Sequence, residues 1–139
     1  MLRSLPAKTS FAILFGVLII IGVIGAAWKY HHDRERIRIH AEAITGGDSY
    51  RGEAMFIQYG CGSCHALSDV RTAVGDVGPP LDGIAGRTII AGHLANRAEN
   101  MELWIRNPQS VSPGTAMPNL GVSDEDARDM TAFLYTRAK

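Results

Sequence analysis

Twenty consecutive residues without a charge, TSFAILFGVLIIIGVIGAAW over 9–28, constrain the fold of this chain more than any other feature. At about 1.5 Å per residue, a helix of this length is roughly 30 Å long, which matches the hydrocarbon core of a bilayer. Trp28 and Tyr30 stand at its end, where interfacial aromatic residues are common. The sequence therefore predicts one transmembrane anchor over 9–28 in the lipid bilayer, preceded by a cytoplasmic N-terminus over 1–8.

A cleaved signal peptide is the alternative interpretation of this run, because Gly25, Ala26 and Ala27 supply small residues for a cleavage site. The apolar run exceeds the roughly 7–15 residues of a signal-peptide core, so the sequence favours a retained anchor. The basic residues that flank the span bear on its orientation, since two precede it and four follow it closely. Counted alone, they would place the rest of the chain in the cytoplasm.

For the remainder of the chain, the sequence predicts a stalk over 29–46 and one small domain over 47–139. TGGD, residues 45–48, breaks the charged stalk, and Asp48 or Ser49 can cap a helix through YRGEAMFIQYG. A second helix covers 99–107 and stops at Pro108, and Ser123 caps a last one, DEDARDMTAFLYTRA. Gly-rich and Pro-rich loops join these helices, so the predicted fold class is all-α.

The two cysteines of the chain lie in CGSCH, residues 61–65, and allow three interpretations. A thioredoxin-like dithiol belongs in an alternation of strands and helices, and no period-two strand pattern of adequate length is present. A structural zinc site needs four ligands, which two cysteines and scattered histidines do not readily supply. The third interpretation is covalent attachment of a c-type haem, for which C-x-x-C-H is the signature.

The spacing of this motif has a physical reason. Residues three apart share one face of a helical turn, so Cys61 and Cys64 can both form thioethers to the vinyl groups along one side of a porphyrin. His65, next in the chain, is then carried beneath the ring, where its imidazole can bind iron. No such cysteine pair accompanies the other histidines near the span, His31, His32 and His40. We interpret them as polar residues at the membrane boundary.

The sixth iron ligand decides between electron transfer and chemistry at an open iron. Met101 and Met130 lie in predicted helices, where methionine is a common core filler. Met117 lies in SPGTAMPNLG, a loop with no structural need for a long apolar side chain. The sequence favours Met117, with His93 in AGHLAN as its competitor.

Residues 48–139 resemble a class I cytochrome c. The matching segments are GEAMFIQYGCGSCH, GPPLDGIAGR, WIRNPQSVSPGTAMP and MTAFLY, in that order. The resemblance implies that Gly52 and Phe56 pack against the C-terminal helix near Phe133. It also implies a haem pocket formed by the Pro79 carbonyl, which would accept a hydrogen bond from His65, with Leu81 on the haem, Arg87 near a propionate and Trp104 over the methionine side.

A narrower similarity joins residues 87–120 to the cytochrome c domain fused to subunit II of some bacterial cytochrome c oxidases. The copper-binding domain of that subunit has no counterpart here, so this chain is not expected to be subunit II itself. The similarity instead indicates a respiratory oxidase as a neighbour of this chain. Attachment of haem outside the cytoplasmic membrane, which the resemblance implies, places the domain in the periplasm.

The function predicted from these observations is single-electron transfer by one covalent haem c, not enzymatic catalysis. The expected partners are a terminal oxidase, a quinol-oxidising complex, or both, with no small-molecule substrate. The formal net charge of zero argues against nucleic-acid binding. The alternatives are the cytochrome c subunit of another complex, such as a nitric oxide reductase, and a haem-based gas sensor or peroxidase with an open iron.

Overall fold

A computed structural model describes residues 7–137, with side chains from residue 11 onward. The chain divides into two compact units between Arg36 and Ile37. Of the predicted cytoplasmic N-terminus, residues 1–6 lie outside the described residues.

Helix α1, Ala7–Thr45, contains the apolar run. Its large apolar side chains from Phe11 to Ile24 are all exposed, with 45% or more of their surface accessible. Beyond the run, side chains four residues apart pair along the helix, as Trp28 and His32 do with ring centroids 5.3 Å apart. Among residues 7–137, α1 is the one helix that is long and apolar enough to cross a membrane, judged by length and composition.

The second unit begins inside α1. Ala41 and Thr45, four residues apart and so on one face of the helix, are both buried. The Glu42 carboxylate accepts hydrogen bonds from the backbone N–H and the hydroxyl of Ser49, at 3.1 and 2.8 Å. The helix ends at Thr45 and is followed by Gly46, with φ near 70°, where the sequence predicted a break. The compact unit thus takes in residues 37–46, which the sequence assigns to the stalk.

The rest of this unit is mostly helical. Asp48 caps the first of its helices and Ser123 caps the last, and their side chains accept from two and from one backbone N–H of the first turn, respectively. Pro108 ends one helix as predicted and also begins another of one turn, because proline suits the first helical position. The helices in chain order are α2 (Ser49–Gln58), α3 (Ala98–Arg106), α4 (Pro108–Val111) and α5 (Asp124–Tyr135), with 3₁₀ turns at Cys61–Ser63 and Ile84–Gly86.

Helices α2 and α5 cross closely and form the centre of the core. The backbone of α5 runs so near Gly52 that a Cβ there would lie 2.0 Å from the carbonyl oxygen of Asp129. One turn along α2, the rings of Phe56 and Phe133 pack at a tilt, with centroids 5.6 Å apart. This is the contact of Gly52 and Phe56 with the C-terminal helix that the resemblance implied.

A short hairpin forms the one sheet of the domain within residues 37–137. Strands β1 (Ile89–Ile90) and β2 (Leu94–Ala95) pair antiparallel, with Ile90 opposite Leu94. Two residues per strand are too few to show a period-two pattern in sequence, so the hairpin could not be predicted.

Candidate haem site

The cysteine motif lies on a tight turn directly after α2. Gly60, with φ near 71°, reverses the chain, and a 3₁₀ turn follows over Cys61–Ser63. The backbone N–H groups of Cys64 and His65 both donate to the carbonyl of Cys61, at 3.2 and 3.0 Å. Both cysteines are free, half-buried thiols. The turn therefore holds the backbone of both cysteines and of His65 within one short segment.

Burial controls the chemistry of the first thiol. It raises the pKa of Cys61 to about 11, with a smaller contribution from the nearby Cys64. At neutral pH the Cys61 side chain is thus a protonated thiol in apolar surroundings, which disfavours spontaneous oxidation.

The imidazole of His65 is fixed by the loop that carries Pro79. Nδ1 lies 2.8 Å from the Pro79 carbonyl oxygen. Since a carbonyl can only accept, Nδ1 carries the proton and donates it, which leaves the lone pair of Nε2 free for a metal. A bond of this kind also raises the basicity of the ligating nitrogen. The loop is tied down by the Gly78 N–H, which donates to the Cys64 carbonyl at 2.8 Å.

A cavity of about 490 Å³ brings the predicted site residues together. Most of the side chains around it are apolar, contributed by the three longer helices of the domain and the loops between them. All eight residues predicted for the site line it, namely Cys61, Cys64, His65, Pro79, Leu81, Arg87, Trp104 and Met117.

Arg87 is the one Lys, Arg, Asp or Glu side chain among the described residues that line this cavity. Its guanidinium donates from Nη2 to the carbonyls of Pro80 and Asp82, at 2.5 and 3.3 Å. These bonds leave further N–H donors of the guanidinium for an anionic group. Leu81 is buried in the core, and Trp104 lies on α3 one residue before the buried Ile105.

The methionine and histidine candidates separate by position. Met117 lines the cavity from the loop over 112–121 and is half-buried. Met101 and Met130 also line it, but from α3 and α5, where both are nearly fully buried in the core. His93 is exposed at the tip of the hairpin and is not among the residues that line the cavity.

Two contacts at the site carried no signal in the sequence. Gly78 lies directly against the His65 ring, and the Gln109 side chain bonds the backbone of the loop that carries Met117. Both depend on the paths that irregular loops take, which local sequence patterns do not determine. An invariant glycine or glutamine across relatives could have pointed to them.

Comparison with known proteins assigns the chain to a family. A family model described as Cytochrome c matches residues 49–138. That is well over half of the chain, and it coincides with the mostly helical domain. The chain belongs to the cytochrome c family, and the predicted fold is confirmed.

Two groups of relatives resemble the chain. The first is "Cytochrome c oxidase subunit 2" of Alkalihalophilus pseudofirmus, 39% identical over 101 residues, which are 72% of this chain and 29% of the relative. The second includes "Cytochrome c2" of Rhodomicrobium vannielii, 30% identical over 110 residues, 70% of this chain and 85% of the relative. "Cytochrome c-554" of Methylosinus trichosporium is similar at 31% over 106 residues, with 67% and 77% covered. The chain thus spans less than a third of the matched oxidase subunit and most of the small cytochromes.

Membership of this family establishes covalent haem c as the cofactor and electron transfer as the general function. The described residues fit that cofactor, because paired thiols, an imidazole with a free Nε2 and a thioether all line one apolar cavity. Their individual roles toward the haem stay predictions.

Proposed function

We propose that this protein is a membrane-anchored cytochrome with a single haem that passes electrons along a respiratory chain to a haem-copper terminal oxidase. Cys61 and Cys64 would hold the haem through thioethers, and His65 and Met117 would be the axial ligands. The observation that carries the proposal is the arrangement of His65. Its Nδ1 donates to the Pro79 carbonyl, while the ring lines the same cavity as Met117.

Haem c, when bound, supplies a reversible one-electron couple of its iron. The residues of the chain would set that couple in three ways. The Pro79 carbonyl keeps His65 in the tautomer that can bind a metal. The thioether of Met117, as a soft ligand, would favour the reduced state and raise the potential. The apolar side chains around the cavity disfavour the extra charge of the oxidised state.

If His65 and Met117 both hold the iron, no place would remain for a substrate there. This distinguishes a carrier from a gas sensor or peroxidase. The test uses the purified holoprotein, whose oxidised form should show a sulfur-to-iron charge-transfer band and whose reduced form should bind carbon monoxide only slowly. Absence of the band together with rapid carbon monoxide binding would exclude the carrier.

Two variants test the ligands one at a time. Met117→Ala should keep the haem attached, abolish the charge-transfer band and lower the potential. Met55→Ala is a matched control, since Met55 is a half-buried methionine that does not line the cavity. His65→Ala should prevent maturation, and an intact red holoprotein from that variant would refute the assignment of His65.

The oxidase as partner is supported by relatives that carry the name cytochrome c oxidase subunit 2, one of which is 39% identical to this chain. Anchoring through α1 would keep the carrier near integral membrane partners and replace free diffusion by a high local concentration. Mild detergent extraction of native membranes, followed by native electrophoresis and haem staining, tests this. Co-migration with a large oxidase would indicate a bound subunit, and a lone small band would indicate a shuttle.

The side of the membrane is tested separately. The proposal places the haem domain outside the cytoplasmic membrane, against the count of basic residues that flank the span. Protease added to intact spheroplasts should release a soluble haem-containing fragment. A haem domain that is cleaved only after the membrane is opened would lie on the cytoplasmic side.

A further inference from the structure

The side-chain amide of Gln109 bonds the backbone of the loop that carries Met117. Its Nε2 donates to the carbonyl oxygens of Thr115 and Met117, both at 2.8 Å. Its Oε1 accepts from the backbone N–H of Gly114 at 3.2 Å. Both amide hydrogens and the amide oxygen are therefore used within one segment of four residues.

The loop has little else to hold its shape. Over the described residues 113–121, one backbone–backbone hydrogen bond is present, from the Thr115 N–H to the Ser112 carbonyl. Pro113 and Pro118 have no N–H to donate. The Met117 N–H reaches the Thr115 hydroxyl only at 3.5 Å. Gln109 accordingly supplies most of the fixed bonds that define the path of this loop.

Gln109 is itself held by its neighbours. It follows Pro108, which is buried and occupies the first position of α4. The backbone N–H of Gln109 donates to the side-chain oxygen of Asn119 at 3.3 Å, so the far end of the loop bonds back to the same residue. The carbonyl of Met117 and its side chain belong to one residue, so a fixed carbonyl limits where the thioether can go.

We propose that Gln109 is a positioning residue that keeps Met117 in the cavity and slows the opening of its loop. The inference rests on the proposed role of Met117 as a ligand. It assigns to a neutral side chain outside the cavity lining a function that neither the haem motif nor the family match indicates.

The experiment compares holoproteins carrying Gln109→Ala or Gln109→Glu with wild type. Gln109→Ala removes all three bonds, and Gln109→Glu keeps the shape but turns a carboxylate oxygen toward two carbonyls. The measurement is the rate at which the reduced protein binds carbon monoxide, because the ligand can enter only after Met117 leaves. We expect the rate to rise by about tenfold or more in both variants, because the hydrogen bonds that hold the loop closed are lost or replaced by repulsion.

A matched control is available because the chain has one other glutamine, Gln58, which is exposed at the end of α2. Gln58→Glu makes the same change of charge and should bind carbon monoxide at the wild-type rate. The sulfur-to-iron band of the oxidised Gln109 variants should weaken in parallel, which a loss of general stability alone would not produce.

Two results would overturn the inference and can be told apart. Wild type that shows the band, with Gln109 variants that match it in band and rate, would refute the role of Gln109 alone. Wild type without the band would refute Met117 as a ligand, and the role of Gln109 with it.

Discussion

Gly78 lies so close to His65 that a Cβ atom on Gly78 would be 2.4 Å from Cε1 of the imidazole and 2.6 Å from Nδ1. On the same ring, Nδ1 donates to the Pro79 carbonyl. The loop over 78–79 thus limits the ring by contact and by hydrogen bonding at once. Only a residue without a side chain allows both.

Replacement of Gly78 by alanine should therefore disturb the imidazole. The ring or the loop must move, and we expect the free energy of unfolding to fall by about 1–3 kcal/mol, as for other overpacked sites. The yield of protein with attached haem should fall as well. Urea unfolding of the holoprotein and haem staining measure these effects.

Asp76→Ala, two residues earlier in the same loop, is the control for Gly78→Ala. Asp76 is exposed and does not line the cavity. Its replacement should leave both quantities unchanged. Equal stability and equal haem yield in the two variants would show that the loop relaxes freely and that the contact with His65 does not limit the ring.

At the crossing of α2 and α5, Gly52→Ala provides a test in which local preference and packing have opposite signs. Alanine is favoured over glycine within a helix by about 1 kcal/mol, so propensity alone predicts stabilisation. A Cβ at this position would meet the Asp129 carbonyl oxygen at 2.0 Å, which forces the helices apart. We expect a loss of stability of at least about 2 kcal/mol by urea unfolding.

The exposed Ala54 of the same helix is the matched position for the reverse change. Ala54→Gly should cost about 1 kcal/mol through propensity alone. If Gly52→Ala stabilised the protein instead, the close crossing would have to be wrong.

Much of this architecture could be predicted because short stretches of sequence determine it. The cap at Ser123, the break at Gly46 and the turn that carries the cysteines each depend on a few adjacent residues. The resemblance added ordered segments, and the eight residues it and the motif selected line one cavity.

What could not be predicted depends on segments that meet from far apart in sequence. The buried carboxylate of Asp129 accepts from the Asp48 N–H and from the Arg51 guanidinium, 81 and 78 residues away. Nothing in the spacing of these residues indicates that they touch. The burial of Ala41 and Thr45 has the same cause, because a buried helix face of this kind cannot be distinguished in sequence from an exposed stalk.

Asn96 is another long-range connection, and its loss should weaken the rim of the cavity. Its Nδ2 donates to the carbonyls of Ile84 and Arg87, both at 2.8 Å, and its Oδ1 accepts from the Tyr135 hydroxyl at 3.0 Å. Asn96→Ala leaves these partners without their bonds, and we expect a cost of about 1–3 kcal/mol in urea unfolding. Asn100→Ala, which removes one bond to the Ala95 carbonyl, should cost less.

The acid stability of the domain should depend on Asp126. Hydrogen bonds from the Ser123 and Tyr59 hydroxyls, at 2.7 and 2.8 Å, lower the pKa of this carboxyl. Because the folded-state pKa lies below the ordinary value of about 3.9, the stabilisation is complete above that pH. It is lost as the pH falls through the folded-state pKa.

Asp126→Asn should therefore lower stability near neutral pH. The loss should be less than about 1 kcal/mol, because solvent screens this partly exposed carboxylate. The variant and wild type should then converge as the pH falls below about 3.9. Urea unfolding at a series of pH values, followed by far-ultraviolet circular dichroism, measures the difference. Asp76→Asn, which changes an exposed acid outside this cluster, should give a curve parallel to wild type. A difference between Asp126→Asn and wild type that stayed constant from neutral to acid pH would mean that the hydroxyl bonds do not favour the carboxylate over the protonated acid.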